Sequence, residues 1–124
     1  MSRPKSPTLT DGELRLMRVL WDRGEGTVSD VMGSLQGPSI PAYNTVQTML
    51  RILETKGYVR HRKAGRAFIF SPLLDRIAAR RRALKTLVNR FFEGSSQLLL
   101  INLLEDEQLS EDTLVQIKQR LGEG

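Results

Sequence analysis

The sequence contains no cysteine, which excludes disulfides, zinc–thiolate centres and thiol nucleophiles together and makes a reducing interior the simpler setting. Its one histidine, His61, has no second His or Cys nearby to complete a metal site, so neither a metal nor a cofactor is expected. One Trp, two Tyr and four Phe are too few for an aromatic ligand cage. No apolar run approaches the length needed to cross a membrane, and the opening Met1-Ser2-Arg3-Pro4-Lys5 carries no apolar stretch behind its charges, so the expected location is the cytoplasm. The materials of catalysis are missing too. Gly24, Gly26 and Gly57 lack the surroundings of a phosphate loop. The consecutive Glu105, Asp106 and Glu107 splay around a helix end rather than facing one another as acid and base. With no nucleophile near a base, the expectation is a protein that is not an enzyme.

What is present is charge, unevenly placed. Residues 1–90 hold seventeen Lys/Arg against seven Asp/Glu, whereas residues 91–124 hold two against seven. The first segment therefore suits a polyanion and the second would be repelled by one. At 124 residues the chain is the size of one ordinary domain, so any second module is small and is expected to be completed by a partner.

Punctuation along the chain predicts three short helices, a hairpin and a helical tail. Thr10 or Asp11 caps a first helix with Leu14, Met17, Val19, Leu20 and Trp21 as its apolar positions, ending near Arg23-Gly24. Thr27 opens a second helix carrying Val28, Val31, Met32 and Leu35, which ends by Gly37-Pro38. Pro38 and Pro41 delay a third helix until Ala42 or Tyr43, and Gly57 stops it. Residues 58–63 and 66–71 alternate around Ala64-Gly65 as a hairpin. After Pro72 an amphipathic pattern runs through Leu73, Ile77, Leu84, Leu87, Val88 and Phe91, and two further helices cover Leu98–Leu104 and Ser110–Leu121.

The third helix carries the most informative pattern. Asn44, Gln47, Thr48 and Arg51 fall at i, i+3, i+4 and i+7, on one face, while Val46, Met49, Leu50 and Leu53 line the other. Thr45 is adjacent. Asn and Gln pair bidentately with adenine, Arg with guanine, and Thr offers a hydroxyl or methyl to thymine, so these side chains suit base edges in a major groove. The same spacing describes a merely solvated helix face. The hairpin tips the balance, because Arg60, Arg62, Lys63 and Arg66 gather at its tip and flanks, and three helices followed by a basic hairpin is the order of a winged helix, whose wing lays cations along phosphates. His61 is expected to be exposed or at a phosphate. The Arg80-Arg81-Arg82 run is expected to be a plain exposed helix face.

In the tail, Leu98, Leu99, Leu100, Ile101, Leu103 and Leu104 are too apolar all round for one face of a small protein. Phe91, Phe92, Leu114, Ile117 and Leu121 can cover part of them. About thirty-four residues bury too little surface alone, so two chains are expected to exchange these faces, with Phe91, Phe92, Leu99, Leu100, Leu103, Leu104, Leu114, Ile117 and Leu121 as the contact residues.

The ordered set Glu13-Leu14, Met17, Leu20-Trp21, Thr27-Val28, Asp30-Val31, Asn44-Thr45-Val46, Lys56-Gly57-Tyr58-Val59, Gly65-Arg66, Phe92, Gly94-Ser95 and Leu109-Ser110-Glu111 resembles the penicillinase-repressor family, which includes methicillin-resistance and copper-transport repressors. The resemblance runs from about Leu9 to Leu121. It implies a homodimeric transcriptional repressor that places one winged helix on each half of a dyad-symmetric operator until an inducing signal arrives. In the β-lactam branch a membrane sensor-protease carries that signal and the repressor is cut within its dimerisation domain. Asn102-Leu103 occupies the corresponding place here, with Leu103 where those relatives carry an aromatic residue. The copper branch senses its metal with a tail cysteine cluster, a route this cysteine-free chain excludes.

The expected organisation is thus a flexible N-terminal arm over 1–8, a winged-helix DNA-binding domain over 9–72 and a helical dimerisation domain over 73–124, mainly α with one small β-hairpin. An alternative function for the same fold is a winged helix whose basic face binds an acidic protein partner.

Overall fold

The structure is a computed structural model that describes residues 8–106 and 110–122. Six helices and one two-stranded antiparallel sheet follow the order α1 (Asp11–Arg23), α2 (Val28–Ser34), α3 (Tyr43–Thr55), β1 (Val59–Ala64), β2 (Ala67–Pro72), α4 (Arg76–Phe91), α5 (Ser96–Asp106) and α6 (Glu111–Gly122). This is a winged helix followed by a helical C-terminal unit. The chain separates into two compact units, one up to Thr86 and one from Leu87, with α4 contributing to both.

Each early helix starts where its capping chemistry dictates. The Thr10 hydroxyl accepts from the Glu13 amide at 3.1 Å and the Glu13 carboxylate accepts from the Thr10 amide at 2.9 Å, a reciprocal pair that satisfies two otherwise orphaned N–H groups. Thr27 and Asp30 repeat the device at α2. Gly24 closes α1 at φ 92°, a left-handed value that costs a residue without Cβ little. Leu16, Met17 and Leu20 of α1 bury completely, together with Val31, Val46, Leu50, Leu53, Tyr58 and Val59. Leu14, Val19 and Trp21, expected among the core positions of α1, stay half-buried, and Leu16 takes the central place.

The hairpin pairs Val59 with Pro72 through to Ala64 with Ala67, one residue later on each strand than the sequence pattern suggests. Tyr58 is the reason. Its side chain enters the core instead of continuing the strand alternation, and its amide bonds the Leu53 carbonyl at 2.9 Å. Gly65 at φ 62° opens the two-residue Gly65-Arg66 loop, as a type II′ turn requires. Gly26 adds a single bridge to β2, exchanging both backbone hydrogen bonds with Phe70 at 3.0 and 2.8 Å, so the hairpin is anchored to the α1–α2 turn.

A buried ion pair ties α1 to the end of α3. Lys56 Nζ reaches Glu13 Oε1 at 2.6 Å with both side chains 6% exposed, and also donates to the Thr8 carbonyl at 3.1 Å. Burial pushes the Glu13 carboxyl up. The Lys56 hydrogen bond, the Thr10 amide and the Lys56 charge outweigh that effect and hold it below the ordinary carboxylate range.

The unit boundary lies at Thr86/Leu87 rather than after Pro72. The first half of α4 packs on the winged helix: Trp21 Nε1 donates to the Leu74 carbonyl at 2.9 Å, Arg76 pairs with Asp22 at 2.9 Å, Ala79 joins the core, and Arg82 donates to the Lys56 carbonyl at 3.0 Å with its guanidinium 4.8 Å from the Tyr58 ring centroid. The arginine run is accordingly not one exposed face. Arg80 and Arg81 are exposed, and Arg82 is half-buried.

In the second unit, Ser95 and Ser110 cap α5 and α6 by accepting from the Leu98 and Thr113 amides. Among its described residues only Val88 is fully buried.

Candidate nucleic-acid interface

Burial on one face of α3 frees the other. Val46, Leu50 and Leu53 are wholly buried, which leaves Asn44, Thr45, Thr48 and Arg51 exposed and Gln47 half-buried; Met49, expected on the packed side, is half-buried. Unlike α1 and α2, α3 begins at Ala42 with no side-chain cap, so the N–H groups of its first turn keep their donors for another acceptor, such as a phosphate oxygen. The loop before it is braced by Arg15, which donates to the Gln36 carbonyl at 2.6 Å and the Ser39 carbonyl at 2.7 Å. Sequence reasoning missed this role, because Arg15 lies more than twenty residues from both partners.

Gln47 and Arg51 of α3 meet Arg66 of the hairpin turn around one open groove of about 420 Å³, which Thr27 and Ser29 of the α2 start and Tyr43 also line. Tyr43 is 47% exposed, a large aromatic left at the surface beside Gln47. Thr27, Ser29 and Tyr43 were absent from the sequence-derived set. The polar residues of α2 and the first residue of α3 give no periodic signal, and only the packing of the two helices shows where they lie.

The remaining hairpin cations divide between the two faces of the sheet, Arg60 and Arg62 alternating with His61 and Lys63. All are exposed. Arg51, Arg60, Lys63 and Arg66 make no ion pair among the described residues. Arg62 differs: it pairs with Glu25 at 2.7 Å. His61 is not a bare surface group either, since its Nδ1 lies 2.6 Å from Glu54 Oε2 and its ring meets Phe68 edge-on at 5.1 Å, which braces the hairpin against α3. Glu25 lies 37 residues from Arg62 and Glu54 seven from His61, and the expected phosphate contact of Arg62 and exposed or phosphate-bound state of His61 did not allow for them.

The residues expected at a chain–chain contact are placed on the second unit. Phe91 is 65% exposed and Leu103, Leu104 and Leu114 are also exposed, whereas Phe92, Leu99, Leu100 and Ile117 are half-buried; the side chain of Leu121 lies outside the described residues. Asn102 and Leu103 lie within α5, where Asn102 donates to the Leu98 carbonyl at 2.8 Å. Among the described residues no group of His, Asp and Glu could hold a metal ion, and no helix is long and apolar enough to cross a membrane.

The sequence profile of the family described as penicillinase repressor matches residues 9–123. The chain is 33% identical over 119 residues to the penicillinase repressor of Bacillus licheniformis, covering 96% of this chain and 93% of that one. It is 20% identical over 117 residues to the methicillin resistance regulatory protein MecI of Staphylococcus aureus, covering 94% and 95%. Among solved structures, the DNA-binding domain of the repressor BlaI is similar with a TM-score of 0.51 and 35% identity, over 60% of this chain and 90% of that domain.

Proposed function

The chain belongs to the penicillinase repressor family of DNA-binding transcriptional repressors, which are not enzymes, and from that premise we propose that two copies bind one dyad-symmetric operator, a winged helix on each half-site. The observation that carries this reading is the grouping of Gln47, Arg51 and Arg66 around a single groove beneath an exposed polar face of α3. Asn44, Thr45, Gln47, Thr48 and Arg51 read base edges in the major groove; Arg60, Lys63 and Arg66 set position by binding phosphates. Arg62 contributes less, because engaging a phosphate means leaving Glu25. The exposed apolar side chains of α4 to α6 pair the two copies.

Release by an inducing signal acts on the second unit. Asn102–Leu103 is the candidate cleavage bond and a membrane sensor-protease the candidate partner. A protease binds its substrate extended, so α5 must open locally first. Selection of random duplex DNA by the purified protein tests the operator reading. A palindromic motif with half-sites about one helical turn apart, near 10 base pairs, is expected. A chain that enriches no sequence contradicts the proposal and favours an acidic protein partner on the same basic face.

A further inference from the structure

The first unit contains a second concavity, unrelated to the α3 groove. Two helix stripes form most of it, Leu14, Arg18, Trp21 and Asp22 of α1 at i, i+4, i+7 and i+8, and Arg76, Ala79, Arg80 and Ala83 of α4 at i, i+3, i+4 and i+7, and Thr8, Leu9 and Tyr58 complete the lining. Alanines at 79 and 83 are too short to fill the gap opposite Leu14 and Trp21, so about 480 Å³ stays open, a volume in the usual range for small-molecule sites. The polar groups of the gap are unequally matched. Trp21 Nε1 is taken by the Leu74 carbonyl and Asp22 by Arg76, whose guanidinium also lies 5.4 Å from the Trp21 ring centroid, so these groups already have partners. Arg18 and Arg80 also line the gap, and neither makes an ion pair among the described residues.

An apolar cleft edged by two uncommitted guanidinium groups has a definite complement. From this we infer that the α1–α4 cleft binds a small amphiphile with a flat apolar body and one carboxylate, the body between Trp21 and the two alanines, the carboxylate between Arg18 and Arg80. The site also gives the arginine run its division of labour: Arg82 fastens α4 to Tyr58 and the Lys56 carbonyl, while Arg80 serves the cleft. The inference stands on the packing of the first unit and does not depend on DNA reading.

Calorimetric titration of the whole chain with 2-naphthoate tests it, with 2-naphthamide as the uncharged counterpart. One saturable site per chain is expected for the carboxylate, with the amide roughly tenfold weaker because a charge-assisted bond is lost. Ala83→Trp, at an exposed position, fills the cleft and should remove binding while melting and DNA affinity stay as they were. Arg80→Gln, which alters no packing, should weaken the carboxylate by about tenfold and leave the amide unchanged. Decanoate binding more tightly than naphthoate, with the same loss in Ala83→Trp, keeps the site and assigns an alkyl body. No saturable binding, or binding untouched by both substitutions, overturns the inference and in the latter case moves the ligand to the exposed apolar side chains of the second unit.

Discussion

The two units spend their apolar residues in opposite ways. Up to Thr86, thirteen buried side chains from α1 to α4 and the hairpin form one cluster, and the polar exceptions are paired, Glu13 with Lys56 above all. From Leu87 onward, Val88 is the one fully buried side chain among the described residues, and Phe91, Leu98, Ile101, Leu103, Leu104, Leu114 and Val115 stay exposed. A core that closes on itself makes a rigid platform from which α3 can present a fixed polar face. A helical unit that cannot close on itself has its apolar surface available for a second copy. In the proposed function, specificity and assembly are therefore assigned to separate parts of a small chain.

The largest effect expected from breaking this contrast comes from the buried pair. Lys56→Met leaves the Glu13 carboxylate buried without its counter-charge and should cost about 3–5 kcal/mol of first-unit stability by chemical denaturation. The pair also makes stability depend on acid. Because the folded Glu13 carboxyl titrates below its ordinary value of 4.5, its contribution is complete above that pH and disappears as pH falls through the lower folded value. Glu13→Gln should flatten the acid side of the stability profile; an unchanged profile in that variant would show that other groups govern it.

Placing charge on the exposed side of the second unit should break the other half of the contrast. Leu103→Asp with Leu104→Asp is expected to halve the solution mass by light scattering while first-unit melting shifts by no more than about 0.5 kcal/mol. A smaller, selective effect belongs to the reading helix. Arg51→Ala should cost about 1–3 kcal/mol on operator DNA and little on other duplexes, whereas Lys63→Ala or Arg66→Ala should weaken all duplexes alike and reduce the salt slope by about one. Equal loss on every sequence for Arg51→Ala would remove α3 from base reading. The smallest effect falls on Arg62. Since Glu25 already pairs with it, Arg62→Ala should cost less than Lys63→Ala in a fluorescence-anisotropy titration with duplex DNA.

Much of the fold was legible in the sequence because its punctuation is local. Thr10-Glu13 and Thr27-Asp30 announce helix starts, Gly24 and Gly57 announce stops, and the i, i+3, i+4, i+7 pattern of α3 separates its polar face from Val46, Leu50 and Leu53. What escaped was set by contacts between distant residues. Tyr58 shifted the hairpin by one position because it fills the core. The docking of Leu74, Arg76 and Arg82 moved the unit boundary to Thr86. Glu25 and Glu54 claimed Arg62 and His61, and no periodicity reports an ion pair spanning 37 residues. The cations of the site were visible in sequence, but which of them stay unpaired was not.

Two chains are proposed to read one duplex through α3 and the wing. Sedimentation of the 14.0 kDa chain with its selected duplex measures this directly. Two chains per duplex, with the second lost in the Leu103→Asp, Leu104→Asp variant, is the predicted result; a single chain saturating the duplex, or two chains retained in that variant, would contradict it.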